Sequence, residues 1–191
     1  MKREKTFGKF LVGVLSFALA FALTFSFVSP MPVEAKTKSI TLKAPKGGNK
    51  MFWPKNVNKT AKAVKKGSYH ITTVKNGYTG EGFLKFTAPK TKTYTFTVSN
   101  LYAPNDEYAN GYLAIMKKNF SSSVVISFQD VKTKSGKKNS INFATEDQLD
   151  GDPYYKVAYG KYKIKKGETV YLYFSASGTN SDAVTLDLNI K

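Results

Sequence analysis

The chain of 191 residues contains no cysteine, so it has no disulfide bonds, no cysteine nucleophile and no site for cysteine-linked lipid attachment. It contains one histidine, His70, which excludes metal sites built from several histidines. Arg3 is its only arginine, so every later basic residue is a lysine. These absences leave few routes to catalysis and make lysine the dominant charge.

Catalytic motifs are also missing. The chain has no Gly-x-Ser-x-Gly nucleophile elbow and no glycine-rich phosphate loop. A Ser–His–Asp triad would require His70, which lies within a predicted strand, where a histidine satisfied by hydrogen bonds is the simpler interpretation. The carboxylates between Glu146 and Asp152 lie in one short loop rather than across a cleft, as glycoside hydrolysis would require. We therefore predict that the protein is not an enzyme.

Residues 1–35 have the features of an export signal. Four basic residues precede an apolar run from Phe10 to Val28, and Val33 and Ala35 supply the small residues of a cleavage site. The run is also long enough to serve as an uncleaved membrane anchor. We expect cleavage after Ala35, no integral membrane segment in the mature protein, and an extracellular location that includes the cell surface or wall.

Charge is the strongest compositional signal. The chain carries 30 basic and 13 acidic residues, for a net charge of +17. Lysine is a hydrated point charge without the planar fork by which arginine reads phosphates and bases. A lysine-rich surface attracts polyanions with strong salt dependence, but lysine also keeps strand edges soluble. Both interpretations remain open from the sequence.

Apolar and polar residues alternate in most of the chain, which is typical of half-buried strands. In residues 81–100, Leu84 and Phe86 share a side before Pro89, and Tyr94 and Phe96 share a side after it, which predicts a hairpin. Residues 162–174 repeat this plan. About nine short strands without an amphipathic helix predict an all-β, two-sheet antiparallel β-sandwich, jelly-roll-like.

The domain boundaries follow from the same patterns. We predict an N-terminal strand and lysine-rich loop over residues 36–67 and a β-sandwich over 68–191, with 36–191 forming one domain. The stretches 58–67 and 132–138 are predicted to be loops, because they are rich in lysine and lack a broad apolar face.

Three segments resemble the bacterial pre-peptidase C-terminal (PPC-like) domain family. They are Gly82–Val98 with its central Phe86-Thr87-Ala88-Pro89-Lys90, Gly167–Tyr173, and Val184–Ile190 with alternating apolar residues. The resemblance covers most of residues 68–191. It implies a secreted β-sandwich of a kind appended to hydrolases or surface proteins and often binding polymers or calcium. No catalytic domain accompanies it here, so this chain would be a free-standing, divergent version.

An acidic segment near residue 150 is the candidate metal site. Calcium prefers several oxygen ligands from a flexible loop, and Asp147, Asp150 and Asp152 alternate beside Gly151. Asp106 or Glu107 would complete the coordination. An ordinary surface turn is the alternative. The protein is therefore expected to need no cofactor, with Ca²⁺ as the candidate ligand.

Aromatic residues in or beside predicted loops are candidate sugar-binding residues, because a ring presents a flat apolar face to a sugar. The alternative is that they close the ends of the core. Trp53 and Tyr155 are the strongest candidates of the set Trp53, Tyr102, Tyr108, Tyr112, Tyr154 and Tyr155.

The predicted function is a secreted, non-catalytic module that binds an extracellular or cell-wall polymer, either a polysaccharide or an anionic wall polymer. The alternative is a structural or adhesive surface protein that binds other proteins. Nucleic-acid binding ranks lower, because the chain lacks arginine after Arg3 and any basic-aromatic motif.

Overall fold

Extended segments make up most of the molecule. The computed structural model describes residues 37–45, 54–76, 79–118, 126–130, 135–151 and 153–191. The predicted export signal, Trp53 and Asp152 lie outside the described residues. In chain order, the described elements are β1 (Lys38–Leu42), α1 (Pro54–Thr60), β2 (Lys62–Val64), β3 (Gly67–Asn76), β4 (Thr79–Thr87), β5 (Lys92–Tyr102), β6 (Ala109–Met116), β7 (Ile126–Asp130), β8 (Ser135–Lys138), β9 (Ile141–Ala144), β10 (Val157–Ile164), β11 (Thr169–Gly178) and β12 (Ala183–Ile190).

The strands form two layers. One hydrogen-bonded path runs β8-β7-β10-β5-β12-β3-β4-β11-β6-β9, while β1 joins β3 and β2 joins β4. The path folds at the β3–β4 hairpin, where only Lys75 and Asn76 pair with Gly80 and Thr79. We call β8, β7, β10, β5, β12, β3 and β1 sheet A, and β2, β4, β11, β6 and β9 sheet B. The predicted all-β, jelly-roll-like sandwich is confirmed, with twelve described strands rather than about nine, and with β1–β3 and β2–β4 pairing in parallel.

The core lies between the sheets. It is lined by alternate residues of each strand, among them Ile71, Leu84, Phe86, Tyr94, Phe96, Val98, Val170, Leu172, Leu186 and Leu188. The ring centroid of Phe86 in sheet B lies 4.9 Å from that of Tyr94 and 6.0 Å from that of Phe96 in sheet A, both edge-on. The two layers are therefore joined by aromatic contacts as well as by apolar burial.

The two predicted hairpins are wrong in one respect. β4 pairs with β11 and β2, whereas β5 pairs with β10 and β12, so the chain crosses from sheet B to sheet A at Pro89. The second pair, β10 and β11, also lies in opposite sheets. Alternation defines which side of each strand is buried, but it does not define the backbone partner. Both connections are arches that span the core.

The lysine-rich segment before residue 67 is partly helical, which corrects the predicted loop. Pro54 occupies the first turn of α1, where its missing N–H costs nothing. Val57 and Ala61, four residues apart, are buried against Phe83, Ala114, Met116, Tyr171 and Tyr173 on the outer face of sheet B. A helix this short has too few residues to show periodicity, so burial on the sheet stabilises it.

The second predicted loop, residues 132–138, is also partly wrong. Ser135–Lys138 form edge strand β8, which pairs with β7, while residues 131–134 lie outside the described ranges. Backbone pairing at a sheet edge does not require apolar side chains, and lysine is common on such edges. In the part of the chain that the structure describes, no helix has the length and hydropathy to cross a membrane.

Candidate anion-binding site at the lysine-rich end

Three connections cross between the sheets at the same end of the sandwich. They join β2 to β3, β4 to β5 and β10 to β11, and each carries lysines. The end of β6 and the last residue of the chain lie at this end as well, as the strand registers show. We call this surface the lysine end; it comprises Lys65, Lys66, Lys90, Lys92, Lys117, Lys118, Lys163, Lys165, Lys166 and Lys191.

Hydrogen bonds join two of the arches to each other. The N–H of Gly167 donates to the carbonyl oxygen of Ala88 at 2.8 Å, and the N–H of Ala88 donates to that of Glu168 at 3.0 Å. The N–H of Lys166 donates to Oγ1 of Thr91 at 2.9 Å. Gly167 has a φ of 80°, a conformation that glycine adopts without a steric cost. The lysines therefore project from a backbone held in place by its neighbours.

Two buried tyrosines attach the arches to the core. The hydroxyl of Tyr94 donates to the carbonyl oxygen of Lys90 at 2.8 Å and accepts from its N–H at 3.3 Å. The hydroxyl of Tyr69 makes the same pair of bonds with Lys65, both at 2.9 Å. Since both rings are buried in the core, these bonds position the lysine backbone from beneath.

Positive charge accumulates at this end, where the carboxylate of Glu168 accepts a hydrogen bond from the N–H of Lys165 at 3.1 Å and no lysine side chain forms an ion pair with a described carboxylate. Desolvation, and then the neighbouring ammonium groups of Lys66 and Lys90, hold the pKa of Lys92 below its usual value. The contact of His70 with Asp187 lies in the middle of sheet A, away from these lysines. An anion placed here would relieve repulsion instead of competing with an existing salt bridge.

A pocket of about 570 Å³ opens on the outer face of sheet B beside these arches. Register places Lys85 of β4 between Ala63 of β2 and Tyr171 of β11. Lys65 and Lys118 enter from the ends of β2 and β6, so three lysines line one cavity. The small side chain of Ala63 leaves space above Lys85. No carboxylate is among the described residues that line the pocket.

Neutral hydroxyl groups complete the pocket lining. Oγ1 of Thr87 lies 2.7 Å from Oγ1 of Thr169 across the β4–β11 pair. The hydroxyl of Tyr171 donates to Oδ1 of Asn58 in α1 at 2.6 Å, and burial raises the pKa of that phenol. Tyr171 therefore remains uncharged at neutral pH. Ammonium groups together with neutral hydroxyl groups are chemically suited to an anion.

The opposite end of the sandwich carries most of the described carboxylates. They are Asp106, Glu107, Glu146, Asp147, Asp150 and Asp182, in the loops after β5, β9 and β11. Asp106 accepts hydrogen bonds from the N–H of Asn180 at 2.7 Å and the hydroxyl of Ser181 at 2.5 Å. The hydroxyl bond is the main reason that the pKa of Asp106 is lowered. Its carboxylate therefore anchors the β11–β12 loop.

The predicted calcium ligands are placed as follows. Oδ1 of Asp147 accepts a hydrogen bond from the N–H of Lys156 at 2.8 Å, and Asp150 is exposed. Asp152 lies outside the described ranges. Within those ranges, no three His, Cys, Asp or Glu side chains converge in a group able to hold a metal ion. Calcium binding by this loop stays a prediction.

The predicted aromatic residues lie at separate places. Tyr102, 60% exposed, is on the outer face of sheet A, and Tyr112 is on that of sheet B, 5.8 Å from the ring of Tyr173. Gln148 accepts a hydrogen bond from the Tyr108 hydroxyl at 2.6 Å and exchanges backbone bonds with Tyr154. The five candidates that the structure describes therefore do not form one platform.

Tyr155 requires a correction. It is 4% exposed and belongs to the core beside Phe143, with which it forms a backbone bridge. A ring in that position has no face open to a sugar, so the expectation of an exposed ring at 155 is wrong. Its position beside a loop in the sequence concealed its inward orientation.

His70 has a partner that the sequence did not suggest. Its Nδ1 lies 2.8 Å from Oδ1 of Asp187, because β3 and β12 are neighbours in sheet A. Oδ2 of Asp187 accepts a second bond from Nδ2 of Asn100 at 2.8 Å. The simpler interpretation of this histidine, a residue satisfied by hydrogen bonds, is confirmed.

The pocket residues were missed at the level of sequence. Alternation places Lys85 and Thr87 on one face of β4, and Thr169 and Tyr171 on one face of β11. That signal identified polar faces, but it did not show that the two strands are neighbours. Register alone brings these residues together.

Comparisons with known proteins add little. No family model matches the chain, and no curated protein matches it. One solved structure, described as CorA, a surface-associated copper-binding protein important in copper acquisition by Methylomicrobium album BG8, is 10% identical. The alignment covers 69% of this chain and 98% of that one, with a TM-score of 0.36. A score this low does not establish a shared fold.

Proposed function

We propose that this protein is a secreted, non-catalytic module that binds an anionic extracellular or cell-wall polymer through the lysine end. The observation that carries the proposal is a surface of lysines on hydrogen-bonded arches. None of these lysine side chains forms an ion pair with a described carboxylate. A polyanion that covers this surface would displace condensed counterions, which supplies free energy without demanding a unique geometry.

The chemistry of lysine favours a polymer over a small ligand. Ammonium groups act as separate point charges, and here they are distributed over several connections. A repeating anion meets many of them together, so weak contacts add through effective concentration. A stacking platform for a neutral sugar has less support, because Tyr102 and Tyr112 lie on opposite sheets and Tyr155 is buried.

The test is retention of the purified protein on isolated cell walls across a salt series. We expect retention at low salt and release as salt rises. Lys90→Gln with Lys92→Gln should weaken retention and reduce its salt dependence. The matched control is Lys75→Gln with Lys156→Gln, which removes the same charge from the opposite end. Equal losses in both variants, or retention that ignores salt, would contradict the proposal.

A second candidate is supported by the separation of charge between the two ends. The carboxylates around Asp106 and Asp150 face away from the lysine end, so one copy could contact the next head to tail. We propose this as the basis of an adhesive role. Sedimentation without any polymer tests it: association should grow with protein concentration, disappear with salt and be lost with Lys90→Gln and Lys92→Gln. A monomer at all concentrations would contradict it.

A further inference from the structure

The pocket beside the lysine end differs from the rest of that surface because it is concave and has mixed walls. Three ammonium groups line it: that of Lys85 within β4, that of Lys65 after β2 and that of Lys118 after β6. Lys85 is half-buried, whereas Lys65 and Lys118 are exposed. Positive charge is therefore concentrated around one cavity, with one lysine forming part of its floor.

The remaining wall is uncharged. Ala63 contributes aliphatic surface, and the hydroxyls of Thr87 and Thr169 lie 2.7 Å apart at one side. A volume of about 570 Å³ exceeds what a bare oxyanion needs and lies in the range of small-ligand sites. The pocket thus has room for a charged group together with the carbon units attached to it.

We propose that this pocket binds one phosphodiester group of the polymer, with the attached polyol or sugar unit against Ala63. The inference rests on the proposed function and names the chemical class of its ligand. Lysine binds phosphate oxygens as a point charge, and a tetrahedral group accepts donors from several directions. Three lysines that reach the pocket from different strands, with the hydroxyl pair of Thr87 and Thr169 at one side, suit that group better than a planar carboxylate.

Nucleic acid carries the same linkage, but this pocket does not suit its bases. Binding of single strands depends largely on stacking of the bases on exposed aromatic rings. The aromatic residue that lines the pocket, Tyr171, is 5% exposed and packs against α1. A phosphodiester polymer without bases therefore fits the described walls better.

The experiment measures affinity of the purified full-length protein for poly(glycerol phosphate), poly-glutamate and single-stranded DNA at fixed ionic strength. Lys85→Gln should weaken poly(glycerol phosphate) binding about tenfold, as loss of one charge-assisted contact does. Its affinity for poly-glutamate should change by no more than about twofold. The matched control Lys90→Gln removes one charge outside the pocket and should weaken both polymers alike.

A second variant keeps every charge. Ala63→Leu places a larger side chain over Lys85 at an exposed position, so it should block the pocket without unfolding the sheet. We expect it to reproduce the selective loss of poly(glycerol phosphate) binding. Thermal unfolding of each variant tests whether the fold is retained. If Lys85→Gln does not fold, the Ala63→Leu result alone tests the pocket.

The outcomes separate this inference from the proposed function. Equal effects of Lys85→Gln and Lys90→Gln on both polymers, with Ala63→Leu unaffected, would overturn the pocket while polyanion binding stands. Tighter binding of DNA than of poly(glycerol phosphate), lost in Ala63→Leu, would overturn the polymer class. Absence of binding to all three polymers would overturn the proposed function itself.

Discussion

The hydroxyl of Tyr94 donates a hydrogen bond to the carbonyl oxygen of Lys90, four residues earlier, at 2.8 Å. Its ring is fully buried between the two sheets, so this bond links the core to a lysine-bearing arch. Tyr69 and Lys65 form the equivalent link one arch away. The shape of the lysine end therefore depends on core packing as well as on its own sequence.

Tyr94→Phe tests this link. The substitution keeps the buried ring and removes the hydroxyl, so we expect a loss of about 1 kcal/mol in the free energy of unfolding. Urea denaturation measures it. Tyr162→Phe is the control, because Tyr162 is partly buried against the core and its hydroxyl bonds to no described residue. An equal loss in both variants would show that the Lys90 bonds contribute nothing.

Lys66→Gln tests the crowding of positive charge. After desolvation, the ammonium group of Lys66 is the main cause of the lowered pKa of Lys92. Removing it should raise the pKa of Lys92 toward its usual value of 10.5. An NMR titration of the lysine side-chain signals measures the shift. Lys38→Gln, at an exposed strand position, should leave the pKa of Lys92 unchanged. A shift of equal size in Lys38→Gln would contradict the conclusion that the neighbouring charge of Lys66 lowers this pKa.

Asp106→Asn tests the carboxylate that anchors the β11–β12 loop. Because hydrogen bonds lower the folded pKa of Asp106 below its usual 3.8, its stabilisation is present above that value and is lost as pH falls through the folded pKa. The wild-type protein should therefore melt at a higher temperature than Asp106→Asn at pH 7, and the difference should shrink as the pH falls below 3.8. Asp150→Asn is the exposed control. A difference that persists unchanged in acid would contradict this account.

The predicted calcium site has a direct test. If Asp147, Asp150 and Asp152 bind calcium, a chelator should lower the melting temperature and added calcium should restore it, since a ligand that binds the folded state stabilises it. Asp150→Asn should abolish the rise in melting temperature on adding calcium, because it removes one predicted ligand. Asp150 is exposed and its carboxylate holds no described hydrogen bond, so the substitution should not disturb the fold in another way. Asp182→Asn, in another loop, should retain this rise. A melting temperature that changes with neither calcium nor chelator would contradict the prediction of a calcium site.

Much of the fold was predictable because strand patterns are local. Leu84, Phe86, Tyr94 and Phe96 were assigned to buried faces from alternation, and all four are fully buried. Short α1 was missed because seven residues give no periodic signal, and its stability comes from burying Val57 on a sheet formed elsewhere in the chain.

The candidate site was predictable only in its chemistry. An excess of lysine made an anionic partner one of two interpretations, the other being solubility of the strand edges, before any position was known. The pocket itself joins residues as distant as Lys65 and Thr169, which no local pattern connects. Tyr155 was predicted to bind a sugar because it lies next to loop residues, yet its ring is buried. Position beside a loop does not show whether a ring faces inward.

Residue composition and alternation were enough to define the strand character of the chain, the buried side of most strands and the excess of positive charge. Each of these depends on residue type and on neighbours two positions away. Tertiary structure alone decided that the strands around Pro89 belong to opposite sheets, because pairing is a backbone property shared by all residues. That crossing places the lysines of its arch at one end, and the pairing of β4 with β11 sets Lys85 and Thr87 beside Thr169 in one pocket.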